Sequence, residues 1–328
     1  MFKLISQQMR QVTQNLIRRQ MQTTPAVLSS KQTSDQLIDV TKALEGWDSK
    51  LKEAGVGDIE FNLKCLVAHV LKMKFNNLPN YNNVQFNGKQ LKEFERLCEA
   101  RCARMPLQHI LGEWDFMDIT LKTAPTVFIP RPETEEFVAK VIDVYRNVQE
   151  HIDMLEVGCG SGAMSLAILH ALPNVKCTGV ERSKAATALA WENAKYLKLH
   201  DRFKIFNHTT AENDYLPKEL EGRKFDVIIS NPPYVKTEEF ALLQPEVKLY
   251  ENLNALDGGP DGLRIARLVF DCACEHLKPG GKLWLELGSE HPPLVKTIMN
   301  VQYEGRLRFV SSFMDQYQRD RFVEIEKV

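Results

Sequence analysis

The spacing of apolar residues along this chain changes twice. From Asp35 to about Arg104 apolar positions recur at three- and four-residue steps. Leu37, Val40, Leu44, Trp47 and Leu51 make one stripe, Leu63, Leu66, Val67 and Val70 a second, and Leu91, Phe94, Leu97 and Cys98 a third. That is the period of helices that bury one face. Gly55, Gly57, Pro79 and Gly88 punctuate the stripes, so residues 35–108 are expected to form a small helical domain. Over residues 109–132 shorter β-like runs, "WDFMDITL" and "TVFI", predict a β-hairpin linker. "PRPETEEFVAKVIDVY" then opens a helix whose first turn carries Pro and Glu. A missing N–H costs nothing at that end of a helix, and negative charge is favoured there.

After His151 the pattern alternates. "IDMLEV", "VKCTGVE", "RFKIFN", "KFDVIIS" and "GKLWLEL" are short apolar runs with β-branched residues. "SGAMSLAILHAL", "SKAATALAWENAKYLK" and "DGLRIARLVFDCACEHL" lie between them with helical spacing. Strands buried on both sides and separated by helices predict an α/β domain over residues 133–328, a doubly wound parallel sheet with helices on both faces. The tail runs "RLRFVSSF" and "DRFVEIEKV" are expected to add an antiparallel pair at one edge.

Charge adds one further segment. The 328 residues carry 42 Lys and Arg against 43 Asp and Glu, so no strongly basic balance points to a nucleic-acid partner. Residues 1–34, however, hold Lys3, Arg10, Arg18, Arg19 and Lys31 and no acid, and Phe2, Ile5, Met9, Val12 and Leu16 fall on one helical face. An acid-free, Arg-containing amphipathic start is the pattern of a mitochondrial transit segment, favoured here over a disordered basic tail, and implies a mitochondrial matrix location. No apolar stretch approaches the ~20 residues of a membrane-spanning helix, so no membrane association is expected. Seven scattered cysteines suit buried thiols in a reducing compartment, and no metal site is expected among them or the eight histidines. There is no GxSxG elbow and no HxxxH pair, so serine-hydrolase and zinc-hydrolase chemistries lack their parts.

Two motifs carry chemistry. "LEVGCGSGA" ends a predicted strand and opens a predicted helix, with Gly158, Gly160 and Gly162 spaced so that backbone can approach a ligand and Cys159 and Ser161 between them. Glu156 precedes the loop, and Glu181 ends the next strand 19 residues after Gly162, where an acid can take ribose hydroxyls. A dinucleotide is the rival ligand. An acid two positions before the first glycine would repel a pyrophosphate but suits the ammonium and sulfonium of S-adenosylmethionine, so a methyl donor is preferred. "IISNPPYV" ends the fourth predicted strand of the sheet, and ligands of open α/β sheets bind beyond such carboxyl ends. The Asn231 side-chain oxygen and the Pro232 carbonyl can each accept one hydrogen of an NH2 group, Pro233 stiffens the turn, and Tyr234 can pack on a planar group. The motif therefore suits methylation of a planar –NH2, either an amide or an exocyclic base amine.

Together with "MPLQHILGEWDF", "VFIPRPETEEFV" and "ALDGGPDGLRIA", these motifs make the chain resemble the HemK/PrmC family of release factor glutamine methyltransferases, on its mitochondrial branch, over about nine tenths of the length that follows the transit-like segment. The resemblance implies a class I (Rossmann-like) methyltransferase fold, S-adenosylmethionine as donor, and as substrate the glutamine of the Gly-Gly-Gln motif in a class I peptide chain release factor, with no direct nucleic-acid contact. It places Glu156, the loop from Gly158 to Gly162, Glu181 and Asn231 at the donor. Asn231, Pro232 and Tyr234 take the catalytic role, and Phe128, Asn231, Pro232, Pro233 and Tyr234 line the glutamine pocket, closed by residues 131–135. The helical domain would dock the release factor. Where relatives often read Glu-Pro, this chain has Glu251–Asn252, and "TTAENDYLPKELEG" departs from the family, leaving Glu212 as the one candidate adenine contact. The other class compatible with the motif is an amine methylase acting on adenine in nucleic acid.

Overall fold

The computed structural model describes residues 37–78, 80, 81, 83–212 and 214–328; the expected transit segment, residues 1–34, lies outside them. The described chain divides into two compact units: residues through Leu111 together with Pro245–Tyr250, and residues Gly112–Gln244 with Glu251–Val328.

In the smaller unit the second and third apolar stripes each make one helix, Ile59–Val70 and Gly88–Cys102. Asn87 starts the latter through a reciprocal capping box with Gln90. The first stripe differs from expectation. Gly46, at φ 79°, breaks it into two short helices, Val40–Leu44 and Trp47–Glu53, and Leu37 is left exposed ahead of them. Of that stripe only Val40 and Leu51 are buried, as are Leu66, Phe94 and Cys98 of the other two, while Leu44 and Trp47 are half-buried. The late helix Pro245–Tyr250 joins this unit through charge. Glu246 accepts from Arg104 Nε at 2.7 Å and Nη2 at 2.5 Å and from Arg101 Nη2 at 3.1 Å, while the Tyr250 hydroxyl donates to the Ala103 carbonyl at 2.7 Å. A bidentate guanidinium–carboxylate pair fixes orientation as well as distance.

The larger unit begins with the hairpin, which covers the first β-like run and one residue on either side of it. Glu113–Phe116 pairs antiparallel with Ile119–Lys122 about a turn that places Met117 at φ 51°. "TVFI" makes no strand. Pro125 and Pro130 flank it and restrict its backbone, and only Val127 and Ile129 are buried. Helix α1 (Pro132–Tyr145) follows with Pro at its start and Glu133 and Glu135 in the first turn.

The sheet has seven strands: β1 (Ile152–Val157), β2 (Val175–Glu181), β3 (Phe203–Asn207), β4 (Phe225–Ser230), β5 (Leu277–Glu286), β6 (Leu307–Met314) and β7 (Asp320–Lys327). Their order is β6-β7-β5-β4-β1-β2-β3. Strands β1 to β5 run parallel, and the tail pair closes the edge antiparallel, as the sequence predicts. Alternate side chains serve opposite faces. Met154, Val227, Ile229, Trp284 and Phe322 pack with α1, with α2 (Ala163–Ala171) and with Ala190 and Ala194 of α3 (Lys184–Tyr196). Leu155, Ile228, Leu283, Leu285, Val323 and Ile325 pack with α4 (Arg264–His276) and α5 (His291–Gln302). The sheet is therefore wound on both faces. Its order reverses between β1 and β4, the place where open α/β sheets hold ligands.

One buried amide joins three elements of this unit. Asn193 on α3 accepts from Lys122 N at 2.8 Å and donates to Lys122 O at 3.2 Å and Ser161 O at 3.0 Å. It thereby ties the hairpin to the glycine loop. Asn193→Ala leaves those backbone groups without their partner, and the expected loss is roughly 2–4 kcal/mol of unfolding free energy. Urea unfolding followed by circular dichroism checks this; an unchanged midpoint would contradict the role.

Candidate active site

The parallel register lays Leu155 beside Ile228 and Glu156 beside Ile229, so the ends of β1 and β4 emerge together. Ser230, fully buried, donates its hydroxyl to the Val157 carbonyl at 2.7 Å. The residue before Asn231 is thereby fastened to the residue before Gly158.

In the glycine loop, Gly158, Gly160 and Gly162 have φ of 76°, 54° and 83°. A Cβ on Gly158 or Gly160 would meet nothing within 4 Å, whereas on Gly162 it would meet Leu166 at 3.1 Å and Ala190 at 3.2 Å. The first two glycines thus bare backbone towards open space, and the third lets α2 pack closely. Cys159 and Ser161 are buried and face inward, and the Ser161 carbonyl is the one held by Asn193. Glu181 reaches across from β2, its Oε2 accepting from Gly160 N at 3.0 Å and its Oε1 from Ser183 N at 2.7 Å. Each carboxylate oxygen has a second lone pair, so the group can hold the loop and still accept from a diol.

Glu156 sits differently from the residues around it. Its position on β1 has the same parity as Met154, and its side chain therefore turns beneath α2. There it accepts from Ser165 N at 3.1 Å and from the Ser165 hydroxyl. Burial is complete and pushes its pKa up to about 8, with the Ser165 bonds opposing. The structure therefore assigns it to the loop's foundation, and the charge argument made for it from sequence does not describe its surroundings.

Beyond β4, Asn231 is half-buried and donates Nδ2 to the Thr134 hydroxyl of α1 at 3.3 Å. Pro232 is buried, and Pro233 and Tyr234 are half-buried. The Tyr234 hydroxyl accepts from Arg321 Nη2 at 2.7 Å and donates to Glu286 Oε1 at 3.4 Å. Burial and the Glu286 charge hold this phenol above its ordinary pKa, so it is neutral at any physiological pH. The "DGGPDG" segment braces the motif from behind. Asp257 and Gly259 pair in parallel with Val235 and Lys236. A Cβ on Gly258 would lie 2.8 Å from the Pro233 carbonyl oxygen, and one on Gly262 would lie 2.6 Å from that of Tyr234.

Phe128 is half-buried beneath the Arg131 guanidinium at 4.9 Å, and Arg131 Nη2 is held 2.6 Å from the buried Glu251. After Glu251 the Asn252 side chain accepts from Asn254 N at 3.1 Å and heads a short 3-10 turn. Of the residues 131–135, Glu133 pairs with Arg319 at 2.9 Å and Glu135 accepts from Met117 N at 3.1 Å. Glu212 is exposed. Sequence reasoning missed Thr134 as a partner of Asn231, and missed Ser230, Glu286 and Arg321 altogether. Glu286 carried a signal, since it is an acid inside the apolar run "LWLEL". Among the described residues no group of three or more His, Cys, Asp or Glu could hold a metal ion, and no helix is long and apolar enough to cross a membrane.

Two buried acids set a pH dependence. Burial raises the pKa of Glu156 to about 8 and that of Glu286 to about 7. Both bind a proton more tightly folded than unfolded, so their contribution to stability is present near the unfolded carboxyl pKa and is lost as pH rises through the folded values. Carboxylates with lowered pKa, such as Asp315, are ionised throughout this window and add no slope there. The thermal midpoint should fall between about pH 5 and about pH 8.5, and Glu156→Gln should remove much of that slope. Calorimetry across the range is the check, and a slope unaltered by the substitution would contradict the assignment.

Residues 42–112 match the PrmC N-terminal domain, and residues 133–246 match the methyltransferase small domain. The chain is 36% identical over 311 residues to a Homo sapiens protein named MTRF1L release factor glutamine methyltransferase, spanning 91% of each chain. It is 35% identical over 253 residues to the release factor glutamine methyltransferase of Geobacter sulfurreducens, covering 77% of this chain and 85% of that one. To the protein of the same name in Gloeobacter violaceus it is 34% identical over 275 residues, covering 81% and 92%.

Proposed function

The chain belongs to the release factor glutamine methyltransferases, and from that membership we propose that it methylates the side-chain amide nitrogen of the Gly-Gly-Gln glutamine in a class I peptide chain release factor, in the mitochondrial matrix. It is an S-adenosylmethionine-dependent methyltransferase. The observation that carries the substrate reading is Asn231. Its Nδ2 is occupied by Thr134, which leaves Oδ1 as the free acceptor beside the glycine loop. The matrix assignment rests on the acid-free amphipathic pattern of residues 1–34.

When bound, the donor supplies an electrophilic methyl carbon on a sulfonium. Gly158 and Gly160 would take it against bare backbone, and Glu181 would accept from its ribose hydroxyls. The chain's own task is the nitrogen. An amide nitrogen is a weak nucleophile because its lone pair is conjugated with the carbonyl. Asn231 Oδ1 and the Pro232 carbonyl each accept one of its hydrogens, which leaves the lone pair facing the methyl carbon. Fixing the two reactants in this way can contribute ~7–11 kcal/mol of the barrier. As the nitrogen acquires positive charge its hydrogens become stronger donors, so both acceptors bind the transition state more tightly than the ground state. The Tyr234 ring and Phe128 give the planar amide apolar walls.

Asn231→Ala should lower kcat roughly a hundred- to thousandfold, the usual loss for one preorganised polar contact, with donor affinity changed far less. Asn231→Asp keeps an acceptor and adds charge near the sulfonium, so donor affinity should hold or rise while methylation still fails. Wild type should ignore a release factor in which the motif reads Gly-Gly-Glu. Full activity in either mutant, or methylation of the Gly-Gly-Glu protein, would contradict the amide clamp. The donor half is tested separately. Gly160→Asp projects a charged side chain into open space at φ 54°, a conformation that Asp tolerates better than most residues. Calorimetry should show donor binding lost with the unfolding midpoint retained, and unchanged affinity would contradict the placement of the donor.

A further inference from the structure

Residues 128–131, "FIPR", belong to no helix and no strand. Pro130 carries no N–H, and neither does Pro132, which opens α1, so the stretch has few backbone bonds with which to hold its own course. Ile129 is buried and anchors it from within, while Phe128 and Arg131 on either side are only half-buried. The placement of those two side chains must come from elsewhere in the chain.

It comes from Glu251, 120 residues beyond Arg131. The Glu251 side chain is 1% exposed, and its two oxygens grip the stretch at two points. Oε1 accepts from Arg131 Nη2 at 2.6 Å, and Oε2 accepts from the Ile129 N–H at 3.4 Å, a long and therefore weaker bond. The guanidinium so held lies over the Phe128 ring, its central carbon 4.9 Å from the ring centroid. A guanidinium can give its N–H edge to a carboxylate while its flat face rests on an aromatic ring, which a lysine ammonium cannot do. Arg131 also stands at the cap position of α1, where Ser, Thr, Asp or Asn would ordinarily serve, and its side chain makes no cap bond. What this side chain contributes there is its hold on Glu251 and on the ring. A ring covered on one face has only its opposite face and its edge to offer a substrate.

We propose that Glu251 is a positioning residue for methyl transfer: through Arg131 it fixes the Phe128 ring, and so fixes the wall against which the planar substrate amide is aligned. The consequence for catalysis rests on the amide-methylation reading of the site; the hold of Glu251 on Arg131 and Phe128 does not. The competing view is that the pair only stabilises the fold. A buried ion pair is weak support for that view, since the attraction between the charges is largely offset by the cost of removing them from water.

Full-length E251Q, R131K and F128L separate the two. E251Q removes the charge at nearly constant shape, R131K keeps the charge but loses the planar fork, and F128L removes the ring while keeping apolar bulk. With a Gly-Gly-Gln release factor, E251Q and R131K should each lower kcat roughly ten- to a hundredfold, the order expected when reacting groups are misplaced by about 1 Å. Kd for S-adenosylmethionine should stay within about threefold, because the glycine loop and Glu181 are untouched. In an F128L background the same substitutions should lower kcat by less than about a further threefold, since residues that act through one another do not add. A role confined to stability would instead lower the unfolding midpoint and leave kcat of the folded enzyme near that of wild type. A second readout needs no substrate. In enzyme labelled with 4-fluorophenylalanine, the 19F signal of Phe128, picked out of 16 by its loss in F128L, should move in both R131K and E251Q. Wild-type kcat in the folded variants, equal losses with and without the ring, or a Phe128 signal indifferent to both substitutions would overturn the proposal. Should E251Q fail to fold, R131K alone carries both the cycle and the spectrum. If wild type leaves the release factor unmodified, the substrate reading fails, and the spectrum still decides whether Glu251 holds Phe128.

Discussion

The site depends on β1 and β4 lying side by side with their carboxyl ends level. The bond from the Ser230 hydroxyl to the Val157 carbonyl, 2.7 Å long and fully buried, fastens that alignment one residue before each functional loop. A one-residue slip in a strand sends its side chains to the opposite faces. Such a slip would withdraw Asn231 from the glycine loop and push Ile228 and Ile229 out of the cores they fill. The two cores, one on each face of the sheet, therefore hold the register, and the register brings the glycine loop and the Asn-Pro-Pro-Tyr motif together.

Around that alignment the chain places several buried polar groups, each tied to the geometry of a loop. Glu156 supports the start of α2, Asn193 holds the Ser161 carbonyl, Glu251 fixes Arg131 against Phe128, and Glu286 lies under Tyr234. Burying a carboxyl is unfavourable unless it is paired or protonated. Glu251 meets that condition with a guanidinium, and Glu156 meets it through raised proton affinity. The cost is accepted where backbone position matters for binding, beside glycines that by themselves would leave the loop free to move.

Much of this was legible in the sequence because it rests on local patterns. Five parallel strands, the helices between them and the antiparallel edge pair follow from spacing alone, and Asn231 could be set beyond the fourth strand by counting runs. What was not legible depended on distance along the chain. Glu246 joins Arg101 and Arg104 from more than a hundred residues away, and its apolar neighbours give no hint of it. "TVFI" resembles a strand, but the prolines on either side decide otherwise. Gly46 could have marked the break in the first stripe, since a left-handed turn inside a helical pattern is what glycine allows. Glu156 was legible as important but not in its role, because the direction of its side chain follows from strand parity and not from its distance to Gly158.

The central claim is that this site clamps an amide NH2 of a protein. The most direct measurement is mass spectrometry of a release factor after incubation with the enzyme and S-adenosylmethionine carrying an isotope-labelled methyl group, with RNA and DNA present as competitors. The account predicts one labelled methyl on the side-chain nitrogen of the Gly-Gly-Gln glutamine and none on the nucleic acids. Label on adenine, with the release factor unmodified, would contradict it.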